Sequence, residues 1–232
     1  MNSLHDDVTL RALLDRLHAR SEEQDAAIDR YYADGANRPT GFEDEGSPGR
    51  AFWLDKFVAL ERDKAVFVYA LARAGGVHRI VEAGTSFGVS TLYLAAAMRD
   101  NGGGTVTSCD IEPSKAAVAS EYLVEAGLRE LVDLRVGDVR STLRDLDEPI
   151  DLLLLDIWAP IAGHVIELVG PKLRPGGIVV ADNTAARRSL YDGLFAVLED
   201  PASGFTTQTL PFDGGLELAV KTGLGAADPR RA

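Results

Sequence analysis

Four carboxylate side chains fall where the sequence predicts that strands end. Each follows an apolar run, and an amide comes directly after the last: Glu82, Asp110, Asp156, Asp182 and Asn183. Because the carboxyl ends of parallel strands meet at one edge of a sheet, these groups are expected around a single crevice. One such carboxylate could be an ordinary helix cap, but four favour a functional site. Carboxylate and amide oxygens bind hard cations such as Mg²⁺ or Ca²⁺ rather than zinc.

The turn after the first of these strands is bracketed by two glycines, Gly84 and Gly88. Glycine permits a sharp backbone turn and the close approach of a ligand. Ser90 and Thr91 place hydroxyl groups in the first turn of the next helix, where backbone N–H groups are free to bind a ligand. The stretch is therefore predicted to be the first strand–turn–helix unit of a nucleotide-like binding sheet.

The next two strand ends offer further ligand contacts. Asp110 ends the second strand, at a position that hydrogen-bonds ribose hydroxyls in nucleotide-binding α/β folds. Capping of the next helix is a weaker interpretation, since Pro113 and Ser114 already supply a helix start. Asp138 follows the third strand and has two open roles, accepting from an adenine amino group or capping the next short helix.

Strands and helices alternate along most of the chain. Strands are predicted at 78–82, 104–110, 132–136, 151–156, 177–182, 205–210 and 216–221. The helices are predicted at 88–99, 114–126, 139–146, 161–173 and 186–199. This alternation predicts a doubly wound, mostly parallel seven-stranded α/β sheet, and the turn residues before the last strand predict a final β-hairpin.

The first part of the chain lies outside this alternation. Apolar residues at helical spacing predict one or two helices within 4–32, followed by a loop at 34–50 that is either a mobile connector or a lid. A buried helix is predicted at 52–74, because 65–72 is apolar nearly all round. The expected organisation is a helical extension with a possible lid loop at 1–50, a ligand-binding domain at 51–223 and a disordered tail at 224–232.

Composition narrows the class of protein. The 232 residues include 24 basic and 36 acidic side chains, for a net charge of −12, which disfavours a nucleic-acid partner and suits a protein that holds a cation. The single cysteine, Cys109, excludes an internal disulfide and fits a reducing compartment. The N-terminus has no signal-peptide pattern and no apolar run reaches membrane-spanning length, so a cytoplasmic protein without membrane association is expected.

These motifs, taken together and in order, resemble class I S-adenosylmethionine-dependent methyltransferases. Within that class the chain is similar to the cation-dependent O-methyltransferases related to catechol and caffeoyl-CoA O-methyltransferases. The similarity covers 60–221 and is carried by the segments 81–90 (VEAGTSFGVS), 110–113 (DIEP), 137–138 (GD), 155–158 (LDIW), 173–177 (LRPGG) and 181–183 (ADN).

The resemblance implies specific roles for residues of this chain. Those expected to contact S-adenosylmethionine are Leu60, Glu82, Gly84, Thr85, Ser86, Gly88, Ser90, Asp110, Ile111, Asp138, Asp156 and Trp158. Those expected to bind a divalent cation, Mg²⁺ or Ca²⁺, are Asp156, Asp182 and Asn183. The implied reaction moves a methyl group to a hydroxyl of a small phenolic or catechol-like acceptor held on the metal, leaving S-adenosylhomocysteine. Homodimerisation through the N-terminal helices is also plausible from the family.

One departure from the family concerns the base. Members usually carry a lysine at the position of Ala159, as the base for the acceptor hydroxyl. Either another group serves here, or a metal-bound acidic phenol needs no dedicated base. His164 is the histidine near this loop and is a candidate catalytic residue beside Asp156, although a lone histidine in an amphipathic helix is more often a surface residue.

Three other functions are each suggested by part of the same sequence. A Gly-x-Ser-x-Gly hydrolase elbow is present at 84–88, but the only histidine that follows it in the sequence is His164, and none comes after that to complete a triad. A nicotinamide-dependent dehydrogenase would need Gly-x-Gly-x-x-Gly spacing and leaves Asp156 and Asp182 unexplained. A methyltransferase-like binding module without catalysis is favoured by the missing lysine, whereas the retained cation-ligand set argues against it.

Overall fold

The computed structural model describes residues 3–33 and 48–223. The α-helices of these residues are α1 (Val8–Glu22), α2 (Asp25–Ala33), α3 (Pro48–Trp53), α4 (Arg62–Ala74), α5 (Val89–Asp100), α6 (Pro113–Glu125), α7 (Val139–Thr142), α8 (Ala159–Val169) and α9 (Asp192–Leu198). The strands are β1 (Arg79–Ala83), β2 (Thr105–Asp110), β3 (Val132–Val136), β4 (Ile150–Leu155), β5 (Leu173–Asp182), β6 (Phe205–Leu210) and β7 (Leu216–Lys221).

The strands form one seven-stranded sheet in the order β3-β2-β1-β4-β5-β7-β6. β1 to β5 run parallel, whereas β7 pairs antiparallel with both β5 and β6. This confirms the doubly wound sheet and the final hairpin. The strand order reverses between β1 and β4, and ligands of open α/β sheets bind at such a switch point.

Both faces of the sheet are covered, and β4 shows this most directly. Its alternate side chains belong to two separate hydrophobic clusters, Leu152 and Leu154 to one and Leu153 and Leu155 to the other. All four leucines are 0% exposed. The continuous apolar run is therefore explained by helices on both faces, as parallel strands require.

The N-terminal extension is docked onto the first of these clusters. α1 buries Leu10, Leu13, Leu14 and Leu17 in the same cluster as the side chains of α5. Asp7 caps α1 by accepting a hydrogen bond from the backbone N–H of Leu10 at 3.0 Å. The predicted region forms two helices rather than one, with α2 following a short break.

The helix predicted at 52–74 is wrong in its first part. α3 ends at Trp53 and α4 begins at Arg62, with a non-helical segment between them. Phe57 is fully buried there, and its backbone N–H donates to the Gln24 side chain at 2.9 Å. Such bonds to the N-terminal helices replace the intrahelical ones. α4 is also less buried than predicted, because Ala70 is exposed.

Other boundaries shift modestly. α7 ends at Thr142 rather than near 146, and the helix predicted at 186–199 is a 3₁₀ turn (Arg188–Tyr191) followed by α9. Residues 34–47, which include the possible lid, and the tail 224–232 lie outside the described residues. Among the helices of the described ranges, none combines the length and apolar character that crossing a membrane requires.

Candidate active site

Two glycines set the path of the glycine turn, residues 84–88, between β1 and α5. Gly84 has φ +105°, and a Cβ there would lie 1.8 Å from the backbone oxygen of Asp156. Gly88 has φ +82°, and a Cβ there would lie 2.8 Å from the Cβ of Ala119 on α6. The close approach predicted from the sequence is thus, at these positions, an approach of the protein to itself. Their contact with a cofactor stays a prediction.

Glu82 is fully buried at the end of β1 and is held by three hydroxyl groups. Its carboxylate accepts from Ser90 Oγ at 2.5 Å, Thr91 Oγ1 at 2.6 Å and Ser108 Oγ at 2.5 Å. Burial raises the pKa of Glu82 above its usual 4.5, and the three hydroxyls partly oppose that rise. The observed role is to tie α5 and β2 to β1. A direct contact with the methionine part of a cofactor stays a prediction.

The hydroxyls around Glu82 also fix the glycine turn. Thr85 Oγ1 lies 2.5 Å from Ser108 Oγ, so the turn is joined to β2 through the same network. Ser108 was missed in the sequence analysis, because a lone serine in an apolar strand gives no signal of its own. Ser86, inside the turn, has φ +46°, an uncommon conformation for a residue other than glycine.

Asp110 is oriented by backbone donors at the end of β2. Its Oδ2 accepts from the N–H of Ser86 at 2.7 Å, and its Oδ1 accepts from the N–H of Glu112 at 2.8 Å. Burial raises the pKa of Asp110, while these two bonds and the charge of Lys115 act in the opposite direction. The side chain is partly exposed. Each carboxylate oxygen retains a lone pair that can accept from a ribose hydroxyl.

The remaining predicted cofactor contacts lie in different environments. Asp138 caps α7 by accepting from the N–H of Arg140 at 2.8 Å, and its carboxylate is also paired with the Arg140 guanidinium at 2.6 Å. The capping role is therefore the one observed. Leu60 is a core residue with 2% exposure, whereas Ile111 is 40% exposed and Trp158 is half-buried. Their contacts with a cofactor stay predictions.

Asp156 and Asp182, here called the acidic pair, lie at the ends of neighbouring strands β4 and β5. Asp156 is partly exposed and its backbone N–H donates to the oxygen of Ala83 at 3.0 Å, which holds it beside the glycine turn. Burial and the charge of Asp182 raise the pKa of Asp156 well above its usual range. Asp182 is 3% exposed, and burial raises its pKa to about 6 against the opposing charge of Lys64.

A buried lysine is paired with one member of the acidic pair. Lys64 Nζ lies 2.6 Å from Asp182 Oδ1 and 2.8 Å from Glu61 Oε2, and the Lys64 side chain is 0% exposed. Asp182 and Glu61 raise the pKa of Lys64, although desolvation acts in the opposite direction. Lys64 gives no functional signal in the sequence, because a lysine in the first turn of a helix usually lies in solvent.

Asn183 completes the predicted cation-ligand set but is turned away from that role. Its Nδ2 donates to Asp182 Oδ2 at 2.6 Å, so both oxygens of Asp182 already have donors. Its Oδ1 faces Gly214, where a Cβ would lie only 2.5 Å from that oxygen. No group of three or more histidine, cysteine, aspartate or glutamate side chains suited to a metal occurs within 3–33 and 48–223. As arranged, Asp156, Asp182 and Asn183 do not fit a divalent cation.

The other catalytic candidate, His164, is not grouped with the acidic pair. It is exposed on α8, whose buried face carries Ala162, Val165 and Ile166. A side chain that was not predicted as a site residue contacts the acidic pair instead. The Tyr191 hydroxyl donates to the backbone oxygen of Asp182 at 2.7 Å. Burial and the charges of the acidic pair raise the pKa of Tyr191, so this hydroxyl stays protonated.

Comparison with known proteins finds relatives over the part of the chain that carries these residues. The methyltransferase domain family matches residues 81–184, which span the glycine turn to Asn183. A putative O-methyltransferase of Mycolicibacterium vanbaalenii is 32% identical over 148 residues, 56% of this chain and 64% of that protein. A catechol O-methyltransferase of Niastella koreensis is 30% identical over 139 residues, 58% of this chain and 62% of that protein. This chain thus covers less than two thirds of either relative.

Solved structures give the same answer for the fold. The O-methyltransferase TomG of Streptomyces achromogenes, solved with S-adenosylmethionine, has 26% identity and a TM-score of 0.64 over 75% of this chain and 86% of that one. An O-methyltransferase of Bacillus cereus, solved with S-adenosylhomocysteine, has a TM-score of 0.65 over 88% of this chain and 91% of that one; at 20% identity it supports the fold alone. These findings favour neither the dehydrogenase nor the hydrolase. Residues 81–184 thus match the methyltransferase domain family, and the chain is similar to O-methyltransferases, one of which was solved with S-adenosylmethionine.

Proposed function

We propose that this protein transfers a methyl group from S-adenosylmethionine to a hydroxyl oxygen of a small molecule. The observation that carries the proposal is the position of Asp110, which is fixed by the glycine turn and keeps free lone pairs at the carboxyl edge of the sheet. The acidic pair lies at the same edge, with Asp156 two strands and Asp182 three strands away from Asp110 in the sheet. A cofactor site and an acceptor site are thus adjacent.

The residues of this chain supply binding and orientation. When bound, S-adenosylmethionine supplies an activated sulfonium methyl group that an oxygen nucleophile can attack. Asp110 binds the ribose hydroxyls, and the network around Glu82 holds the turn in shape. Asp156, the partly exposed member of the acidic pair, accepts the hydrogen bond of the acceptor hydroxyl, orients its oxygen, and takes up its proton as the methyl group passes from sulfur to that oxygen.

The acceptor class proposed is a small phenol or catechol. One relative named a catechol O-methyltransferase supports it, and a phenolic hydroxyl loses its proton more easily than an alcohol. Retention of the acceptor on a divalent cation was expected from the resemblance but is left out of the reaction, because the predicted ligands do not fit a cation. A cytoplasmic location and a homodimer remain proposals. The apolar face of α1 packs against the hydrophobic core of the same chain, so it gives no support to a dimer.

Calorimetric titration with S-adenosylmethionine, followed by product analysis with a panel of phenols and catechols, tests the function. Cofactor binding and an O-methylated product are expected. Absence of cofactor binding would contradict the proposal. Binding without any product would instead favour the catalytically inactive binding module, which has the absent lysine at Ala159 and the exposed His164 in its favour.

A further inference from the structure

Lys64 has a position that is unusual for a lysine. Its side chain is 0% exposed, and its ammonium lies between Asp182 Oδ1 at 2.6 Å and Glu61 Oε2 at 2.8 Å. Lysine is almost never fully buried unless its charge is paired. The carboxylate of Asp182, at 4% side-chain exposure, is equally dependent on a countercharge, whereas that of Glu61 is 49% exposed. The buried pair is therefore Lys64 with Asp182.

The fold builds this pair from two distant parts of the chain. Lys64 lies in the first turn of α4, and Asp182 ends β5, 118 residues later. The non-helical segment that buries Phe57 and Leu60 leads directly into α4 and fixes where that helix begins. Both partners of the ion pair are thus attached to packed elements, Lys64 to α4 and Asp182 to β5.

The same geometry opposes a divalent cation at Asp182. One oxygen of this carboxylate accepts from Lys64 and the other from Asn183 Nδ2 at 2.6 Å. A cation bound there would stand next to a buried ammonium in surroundings of low dielectric, where like charges repel strongly. It would also require Asn183 to turn its oxygen away from Gly214 and towards the metal.

We propose that the Lys64 ammonium is a built-in cation that replaces a divalent metal at the acceptor site. Lys64 is a positioning residue: it neutralises Asp182 and fixes its carboxylate, so that the buried Asp182 can lie beside the partly exposed Asp156. The acceptor hydroxyl then binds at Asp156 without metal coordination. This inference rests on the proposed function for the acceptor, but the metal-binding property of the acidic pair is independent of any activity.

Metal binding and thermal stability test the inference without an assay for methyl transfer. Mn²⁺ binding is followed by electron paramagnetic resonance, and thermal melts are recorded in chelator and in about 10 mM Mg²⁺, where linkage makes any bound cation visible as a rise in Tm. The proteins are wild type, Lys64→Met, Lys64→Arg, Asp182→Asn and the double variant Lys64→Met with Asp182→Asn. Lys221→Met is the matched control, because Lys221 is part-buried and donates to the backbone oxygen of Gly170 rather than to a carboxylate.

Wild type, Lys64→Arg and Lys221→Met are expected to show no bound Mn²⁺ and no change in Tm with Mg²⁺. Lys64→Met should melt lower in chelator, bind Mn²⁺ and regain Tm in Mg²⁺, and the added Asp182→Asn change should abolish that binding. Should Lys64→Met fail to fold, the wild-type and Lys64→Arg measurements still decide the matter.

Two results would overturn the inference. One is Mn²⁺ binding by the wild-type protein that Asp182→Asn removes. The other is a folded Lys64→Met variant that neither binds Mn²⁺ nor responds to Mg²⁺, which would make Lys64 a purely structural residue. Failure of the proposed function is recognised separately, as an absence of S-adenosylmethionine binding in the wild-type protein.

Discussion

The carboxyl edge of the sheet holds its carboxylates in two different ways. At the ends of β1 and β2, the part proposed to bind the cofactor and here called the cofactor half, Glu82 and Asp110 are held by neutral donors, three hydroxyls for the first and two backbone N–H groups for the second. At the ends of β4 and β5, the part proposed to bind the acceptor and here called the acceptor half, Asp182 is held by a buried ammonium. Neutral dipoles orient a carboxylate while leaving its charge available to a ligand, whereas an ion pair cancels that charge. The first arrangement suits hydroxyl recognition, and the second suits a site without a metal.

The largest effect is expected from Asp156→Asn in the acceptor half. Loss of the group that orients the acceptor hydroxyl should lower kcat by about a hundredfold to ten-thousandfold, the range for a positioned proton acceptor. The Kd for S-adenosylmethionine should be nearly unchanged. Steady-state kinetics and calorimetry on the same preparation check both. A variant with wild-type kcat would remove Asp156 from the reaction.

Asp110→Ala in the cofactor half should have the opposite effect and weaken the binding of S-adenosylmethionine. Loss of hydrogen bonds from two ribose hydroxyls to a charged group, each ~1.5–3 kcal/mol, should weaken the Kd for S-adenosylmethionine at least about a hundredfold. Calorimetry measures the change, with Asp138→Ala as the matched control because its carboxylate already caps α7 and pairs with Arg140. Equal losses in both variants would contradict the assignment of the ribose to Asp110.

The free energy of unfolding should also respond differently to substitutions in the two halves. Removing single hydroxyls from the Glu82 network, as Ser90→Ala, Thr91→Val and Ser108→Ala, should each lower the free energy of unfolding by about 1–3 kcal/mol, because a buried carboxylate loses a donor. Denaturant titration measures this. Addition of Mg²⁺ should restore none of the loss, in contrast to Lys64→Met. Recovery in Mg²⁺ would show that the cofactor half also accepts a cation.

The smallest effect concerns pH. The pKa of Glu82 is raised in the folded protein, so its protonated form favours folding, and that contribution is lost as pH rises from 4.5 towards the folded pKa. Glu82→Gln, which stays neutral and can still bond the hydroxyls, should therefore gain stability relative to wild type as pH rises through this window. Parallel stability curves for the two proteins would contradict the role assigned to burial.

The sequence predicted the sheet well because its signals are local. The apolar run of β4, the glycine turn and the turn residues before β7 each have one physical explanation, and the strands lie within a few residues of their predicted bounds. The acidic strand ends were also predicted, since parallel strands bring them to one edge.

What the sequence could not show depends on contacts between distant segments. The break before α4 arises because Phe57 enters the core and its backbone N–H donates to the side-chain oxygen of Gln24, which no local pattern reveals. Lys64 reads as an ordinary surface lysine, and its pairing with Asp182 exists only in the folded chain. The residues of the predicted metal site do lie at one edge of the sheet. The cation found beside them is the ammonium of Lys64, which belongs to α4.

The most direct test of the account follows a labelled methyl group from S-adenosylmethionine to a catechol by mass spectrometry, in metal-free buffer with excess chelator and again with Mg²⁺. The predicted result is a labelled O-methyl product at equal rates in both conditions. A product that forms only with Mg²⁺ would contradict the account of the acceptor site, and cofactor binding with no labelled product from any phenol or catechol would contradict the function itself.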